Sequence, residues 1–159
     1  MLLLAAVGTA LGVSLTLLDL GRTADVNGGL IHTGPDGPAA ALLAAHFPDE
    51  EQFEYGEHDG PMFYAVALHP FDLHTAAESL DPPRHRLQPP LFSCLAALGN
   101  PWPGGSPTLL WTMFAVGVAA MLLAGVSGGA LSATLGGPLW LAAVIPVLPG
   151  ATASLRITV

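Results

Sequence analysis

"TLLWTMFAVGVAAMLLAGV", residues 108–126, decides the fold. It carries no charged side chain and reads as the cleanest transmembrane helix in the chain. The silence extends outward: from Leu87 to Leu155 there is no Asp, Glu, Lys or Arg. Charged side chains cover the surface of a soluble domain, so a soluble domain rarely runs that far without one. A bilayer forbids them, because Asp, Lys or Arg at a helix centre costs roughly 2.5–3.5 kcal/mol on insertion scales. Over the whole chain 10% of residues are charged and 52% are apolar, against about 25% charged in an average soluble domain. The composition is that of an integral membrane protein.

The N-terminal stretch "MLLLAAVGTALGVSLTLL" (1–18) repeats the pattern. As a helix it reaches about 27 Å, close to the roughly 30 Å hydrocarbon core. A signal peptide would have a basic start and a shorter apolar run. The first basic residue here is Arg22. The stretch is therefore read as an uncleaved spanning helix ended by Asp19, Gly21 and Arg22.

All twelve acidic residues lie between Asp19 and Asp81, and the basic set is Arg22, Arg84, Arg86 and Arg156. The net charge of −8 thus belongs to one polar loop, residues 19–86. It argues against nucleic acid and anionic lipid surfaces as partners, since both call for clusters of Lys and Arg. A first helix entering from the cytoplasm puts this loop outside. Cys94 lies in the apolar run "LFSCLAAL" and reads as packing, because a reactive thiol needs an electropositive, partly exposed site.

Inside the loop, Asn-Gly, Gly-Gly and Gly-Pro pairs mark turns over 25–38. "AAALLAAHF" (39–47) and "PMFYAVAL" (61–68) predict short helices, the second ended by Pro70. Thr75 and Glu78 have capping-box spacing and predict a third. Helices of this size are marginal alone in water and need a surface, for which the membrane interface is available. His32 and His46 read as solvated. Past the loop, "LQPPLFSCLAALG" (87–99) reads as a half-helix or re-entrant piece. "SGGALSATLGGP" reads as a turn, and "LWLAAVIPVLPGA" (139–151) as an apolar segment kinked by Pro146 and Pro149. The expected fold class is an all-α integral membrane protein. It has about three transmembrane helices, one half helix and a long polar loop with short interfacial helices. Its parts are helix 1–18, acidic extracytoplasmic loop 19–86 and membrane-embedded segment 87–159. The expected location is the cell membrane, with several crossings and the lipid bilayer as partner.

Three stretches form an ordered set: "EHDGPMFYAVALHPF" (57–71), "LDPPRHRLQPPLFSCLAALG" (80–99) and "VLPGATASLR" (147–156). The order Asp-Gly-x-x-Phe/Tyr, Pro-Phe, Leu-Asp-x-Pro, Arg-x-Gln before an apolar helix, then Pro-Gly and Ser-Leu-Arg, resembles a family of bacterial polytopic membrane proteins. These are similar to glycosyltransferases of the C superfamily (GT-C), which take sugars from polyprenyl-phosphate donors. The resemblance runs from about residue 55 to residue 157.

The resemblance implies an enzyme with a polyprenyl-phosphate-linked sugar as its partner. It implies that Asp59 is a general base, or helps hold a divalent metal, beside the acceptor hydroxyl. A positioned carboxylate of this kind is worth typically 10²–10⁴-fold. Arg84 and Arg86 would grip the lipid phosphate, since guanidinium binds its oxygens in a bidentate fork. Gln88 would add a hydrogen bond, and Phe63 and Tyr64 a sugar-stacking or membrane-facing surface. Plainer roles stand beside these: Asp59 as a helix-start residue, Arg84 and Arg86 snorkelling to headgroups, Phe63 and Tyr64 as packing. Glu57, His58, Asp59, His69 and His74 do not have the spacing of a closed metal site. The sequence departs from the family pattern at His58 and Pro89. The family's proteins are much longer, so the chain is expected to be an N-terminal fragment, inactive alone. The alternative is a non-enzymatic membrane subunit whose acidic loop docks a partner.

Overall fold

The computed structural model describes residues 1–23, 37–48, 60–80, 91–100 and 107–157. Every regular element among them is helical: α1 (Leu2–Thr23), α2 (Ala40–His46), α3 (Gly60–Leu68), α4 (Leu73–Ala77), α5 (Leu91–Gly99), α6 (Pro107–Thr134), α7 (Leu141–Val144), a 3₁₀ turn (Ile145–Val147) and α8 (Pro149–Ile157). Two of them, α1 and α6, are long and apolar enough to cross a membrane.

The core helix of a soluble protein would also be apolar, but it would be mostly buried. Within their most apolar stretches α1 is 28% buried and α6 39%. Leu3, Val7, Leu11, Leu15 and Leu18 of α1 are exposed, as are Trp111, Leu123 and Leu131 of α6. An apolar surface of that extent is foreign to water-soluble monomers. It is the surface that lipid would cover.

The two long helices run antiparallel, as their glycines show. Met1 packs on Gly129, Ala5 on Gly125 and Met121 on Gly12. The chain then turns back at Gly136, whose φ of 74° is open to glycine and strained for other residues. Gly137 N–H donates to the Ser132 carbonyl at 2.7 Å, and Ser132 Oγ donates to the Pro138 carbonyl at 3.0 Å. The returning segment rises beside α1. Ala143 lies against Gly8 and Pro146 against Gly12, with Ala142 between Gly125 and Gly129. The result is a three-legged bundle whose third leg is broken.

The break follows from proline chemistry. Pro146 has no N–H for the Ala142 carbonyl four residues earlier, and Pro149 has none for Ile145. The helix tightens into the 3₁₀ turn, Leu148 N–H donates to the Ile145 carbonyl at 3.3 Å, and α8 starts again at Pro149.

Several sequence expectations are revised. Asp19 and Gly21 do not end α1, which continues to Thr23; helical hydrogen bonding needs no apolar side chain, so the helix outlasts its apolar stretch. The expected turn at "SGGALSAT" is helix up to Thr134. Gly128 and Gly129 face Ile145 and Ala142 there, so they serve close approach and not chain reversal. The cap of α4 is Asp72, not Thr75: its carboxylate accepts from Thr75 N–H at 3.2 Å and from Thr75 Oγ1 at 2.7 Å. The short loop helices do not depend on a membrane surface alone. Leu43, Phe47, Tyr64 and Ala67 share one buried cluster with Leu20 of α1, Leu109, Leu110 and Met113 of α6, and Leu155 of α8. α2 and α3 therefore cap the bundle at the end where α1 finishes and α6 begins.

Candidate functional site

Helix α3 is the centre of this cap. Proline at its second position has the φ that a first helical turn requires. Seven of its nine residues are buried, from Gly60 to Ala67 with Phe63 excepted, so both faces are occupied. Tyr64 and Ala67 face the bundle cluster. Met62 and Val66, on the other side, form a second cluster with Ala76 and Leu80 around α4.

The first turns of α3 and α5 lie side by side. Ser93 Oγ donates to the Phe63 carbonyl at 3.0 Å, and the Phe63 and Phe92 rings meet edge to face with centroids 5.8 Å apart. Such an aromatic pair adds about 0.5–1.5 kcal/mol beyond area burial. In sequence, α3 begins directly after Asp59, and α5 begins three residues after Gln88. Asp59, Arg84, Arg86 and Gln88 themselves lie outside the described residues, as do His32, Glu57 and His58.

Tyr64 is described, and it takes the packing role that stood beside the sugar-stacking one. Its side chain is fully buried and its ring offers no face to a sugar or to lipid. Its hydroxyl lies 2.9 Å from His46 Nδ1; the phenol donates when the imidazole carries its proton on Nε2. The two rings are edge to face at 5.9 Å, and Phe47 closes on the same tyrosine at 5.6 Å. The reason is general: a buried phenol needs a hydrogen-bond partner, and α2 supplies one.

His46 is therefore not the solvated residue its loop setting suggests. It is half-buried. Burial, and then the nearby His69, hold its pKa below the ordinary imidazole value. The signal for this contact was weak in the sequence: a lone histidine at the end of a short apolar helix, eighteen residues before its partner.

Beyond α3 the chain turns through His69, Pro70 and Phe71. Phe71 is 88% exposed, although Asp72 fixes the backbone beside it through its cap on Thr75. That hydrogen bonding lowers the Asp72 pKa. His74 and Glu78 stand 4.0 Å apart in water, where an ion pair adds little. Among the described residues no group of three or more His, Cys, Asp or Glu side chains is placed to hold a metal ion.

Compared with protein-family models, curated proteins and solved structures, the chain gives no match.

Proposed function

We propose that the chain is a multi-pass cell-membrane protein carrying part of a GT-C-like sugar transferase that uses a polyprenyl-phosphate-linked donor. In this reading α1, α6 and the broken leg Leu141–Ile157 each cross the bilayer, α5 enters it part-way, and the cap of α2, α3 and α4 lies on the extracytoplasmic side. The acceptor hydroxyl oxygen attacks the anomeric carbon of the donor. Its proton passes to the Asp59 carboxylate, the bond from the anomeric carbon to the phosphate oxygen breaks, and polyprenyl phosphate leaves on Arg84 and Arg86. Gln88 holds a further phosphate oxygen. Tyr64 has no contact with sugar; it supports α3 from within.

One observation carries the reading. The ordered motifs fall immediately before two helices, α3 and α5, whose first turns are locked together by Ser93, Phe63 and Phe92. In sequence, Asp59 directly precedes α3, and Arg84 and Arg86 precede α5 by seven and five residues; the two helices themselves form a packed pair. A charged lipid phosphate and a general base need that kind of shared, fixed platform.

Two measurements in lipid test it. Transfer of labelled sugar from polyprenyl phosphate by the full-length enzyme of which this chain is read as part, assayed in membranes, should fall about 10²-fold or more on Asp59→Asn; unchanged turnover would remove Asp59 from the reaction. A photoreactive polyprenyl phosphate should label the reconstituted chain, and the label should be lost in Arg84→Ala/Arg86→Ala. Equal labelling of both proteins would show that these arginines do not hold the phosphate.

A further inference from the structure

Helix α2 is an unusual member of the cap. It has seven residues, well below the length at which a helix persists alone in water. It meets the core through Ala39, Leu43 and Phe47, and its last residue is His46, bonded to the buried hydroxyl of Tyr64. We propose that α2 is a clamp on helix α3 that neutral His46 holds closed and that acid opens. The inference rests on the contact between α2 and α3 and does not depend on sugar transfer.

The physical case is a competition between protonation states. A neutral imidazole fits the position: one ring nitrogen meets the phenol while the ring edge packs on Tyr64. An imidazolium there gives up hydration, and the nearby His69 disfavours it further. The carbonyl end of α2 favours a cation. Burial and His69 outweigh it, as the lowered pKa of His46 shows.

Among the described residues the groups around the histidine are few. Tyr64 comes from α3, and His69 from the turn after it. Helices α5 and α6 bring no Asp, Glu, Lys, Arg or His at all. The other elements sharing the cluster carry Asp19 and Arg22 in α1 and Arg156 in α8. Helix α4 lies on the opposite side of α3, with His74 and Glu78 in water.

The sign follows. The folded pKa lies below the ordinary value of 6.5, so the unfolded or opened helix binds more protons between the two values. The clamp has its full stability above pH 6.5 and loses it as the pH falls toward the folded value. Each pH unit crossed in that window raises the opening constant about tenfold.

Hydrogen exchange of the full chain in lipid nanodiscs, corrected for intrinsic rates, tests this at about pH 7.5 and about pH 5. The amides of Leu43 and Phe47, which donate to Ala39 and Leu43, should exchange faster at the lower pH, while those of α6 stay unchanged. In His46→Asn a polar group remains near the Nδ1 position and cannot become charged, so the amides should respond equally little at both values. In His69→Asn the acid-induced rise in exchange should be smaller than in the wild type, because the folded and opened values of His46 then lie closer together. In Tyr64→Phe the amides should exchange faster at both values. Wild-type protection of α2 that is the same at both pH values overturns the proposal, as does a His46→Asn protein with the wild-type acid response. The α6 amides report whether each variant has kept its bundle.

Discussion

Gly8 and Tyr64 represent two ways of holding helices together, and they sit in different halves of the molecule. In the bundle, backbones touch. A side chain on Gly8 would meet the Ala143 carbonyl, and a Cβ on Gly125 would stand 2.7 Å from the Ala142 carbonyl. In the cap, side chains interlock: Tyr64 with His46 and Phe47, Phe63 with Phe92, Ser93 with a carbonyl. The difference follows from the solvent each half is suited to. Water drives apolar side chains into a core. Lipid gives no such drive between apolar helices, so association there relies on close fit, small residues and weak Cα–H···O contacts. The carbonyl that Pro146 leaves without its helical donor, that of Ala142, is the one a side chain on Gly125 would meet.

The contrast breaks most decisively at the bundle glycines. Gly8→Leu or Gly125→Leu must push a carbonyl aside, because backbone and not a flexible side chain stands in the way. Each should cost about 3 kcal/mol or more in a denaturant titration in detergent. Gly21→Leu, with nothing within 4 Å, is the matched control and should fold normally. If all three behave alike, the bundle is not held by close approach.

The turn at Gly136 should be next in size. Gly136→Ala places a side chain at φ 74° and should cost about 1–2 kcal/mol by the same titration. In the cap, Tyr64→Phe removes one hydrogen bond and keeps the ring. Its expected cost is about 1 kcal/mol, read as a lower unfolding midpoint of the cap with the bundle unaffected. A loss spread evenly over cap and bundle would erase the distinction between the halves.

The smallest effect lies at the surface. The cap that Asp72 places on Thr75 lowers its pKa, so its contribution to α4 is present above the ordinary carboxyl value and lost as the pH falls below it. The amide resonance of Thr75, followed by NMR through that range, should shift in the wild type and stay constant in Asp72→Asn.

Legibility divided along the same line. The apolar run around residues 108–126 announced a long helix because periodicity and charge are local properties. Pro146 and Pro149 announced a broken segment because a missing N–H acts on residues a few positions away. Gly128 and Gly129 misled for a related reason. A glycine pair suits a turn or a close helix contact equally, and only Ile145 and Ala142, brought back by the third leg, select the second. Asp72 and Thr75 differ in which end of the same cap they occupy, a choice made by backbone direction. Among the residues expected at the site, Tyr64 shows the limit most clearly. The sequence left it a sugar-stacking, a membrane-facing or a packing role; its position inside the cap gave it the last.

By itself the sequence determined that the chain is helical, that two of its segments suit lipid, and that its acid is confined to one stretch. Charge and hydrogen-bonding capacity belong to residues one at a time, and the solvent sorts them without reference to any fold. Tertiary structure alone decided that glycines would receive carbonyls and that His46 would close on Tyr64. Those facts depend on which surfaces arrive at the same place, and arrival is settled only when legs far apart in sequence pack against one another.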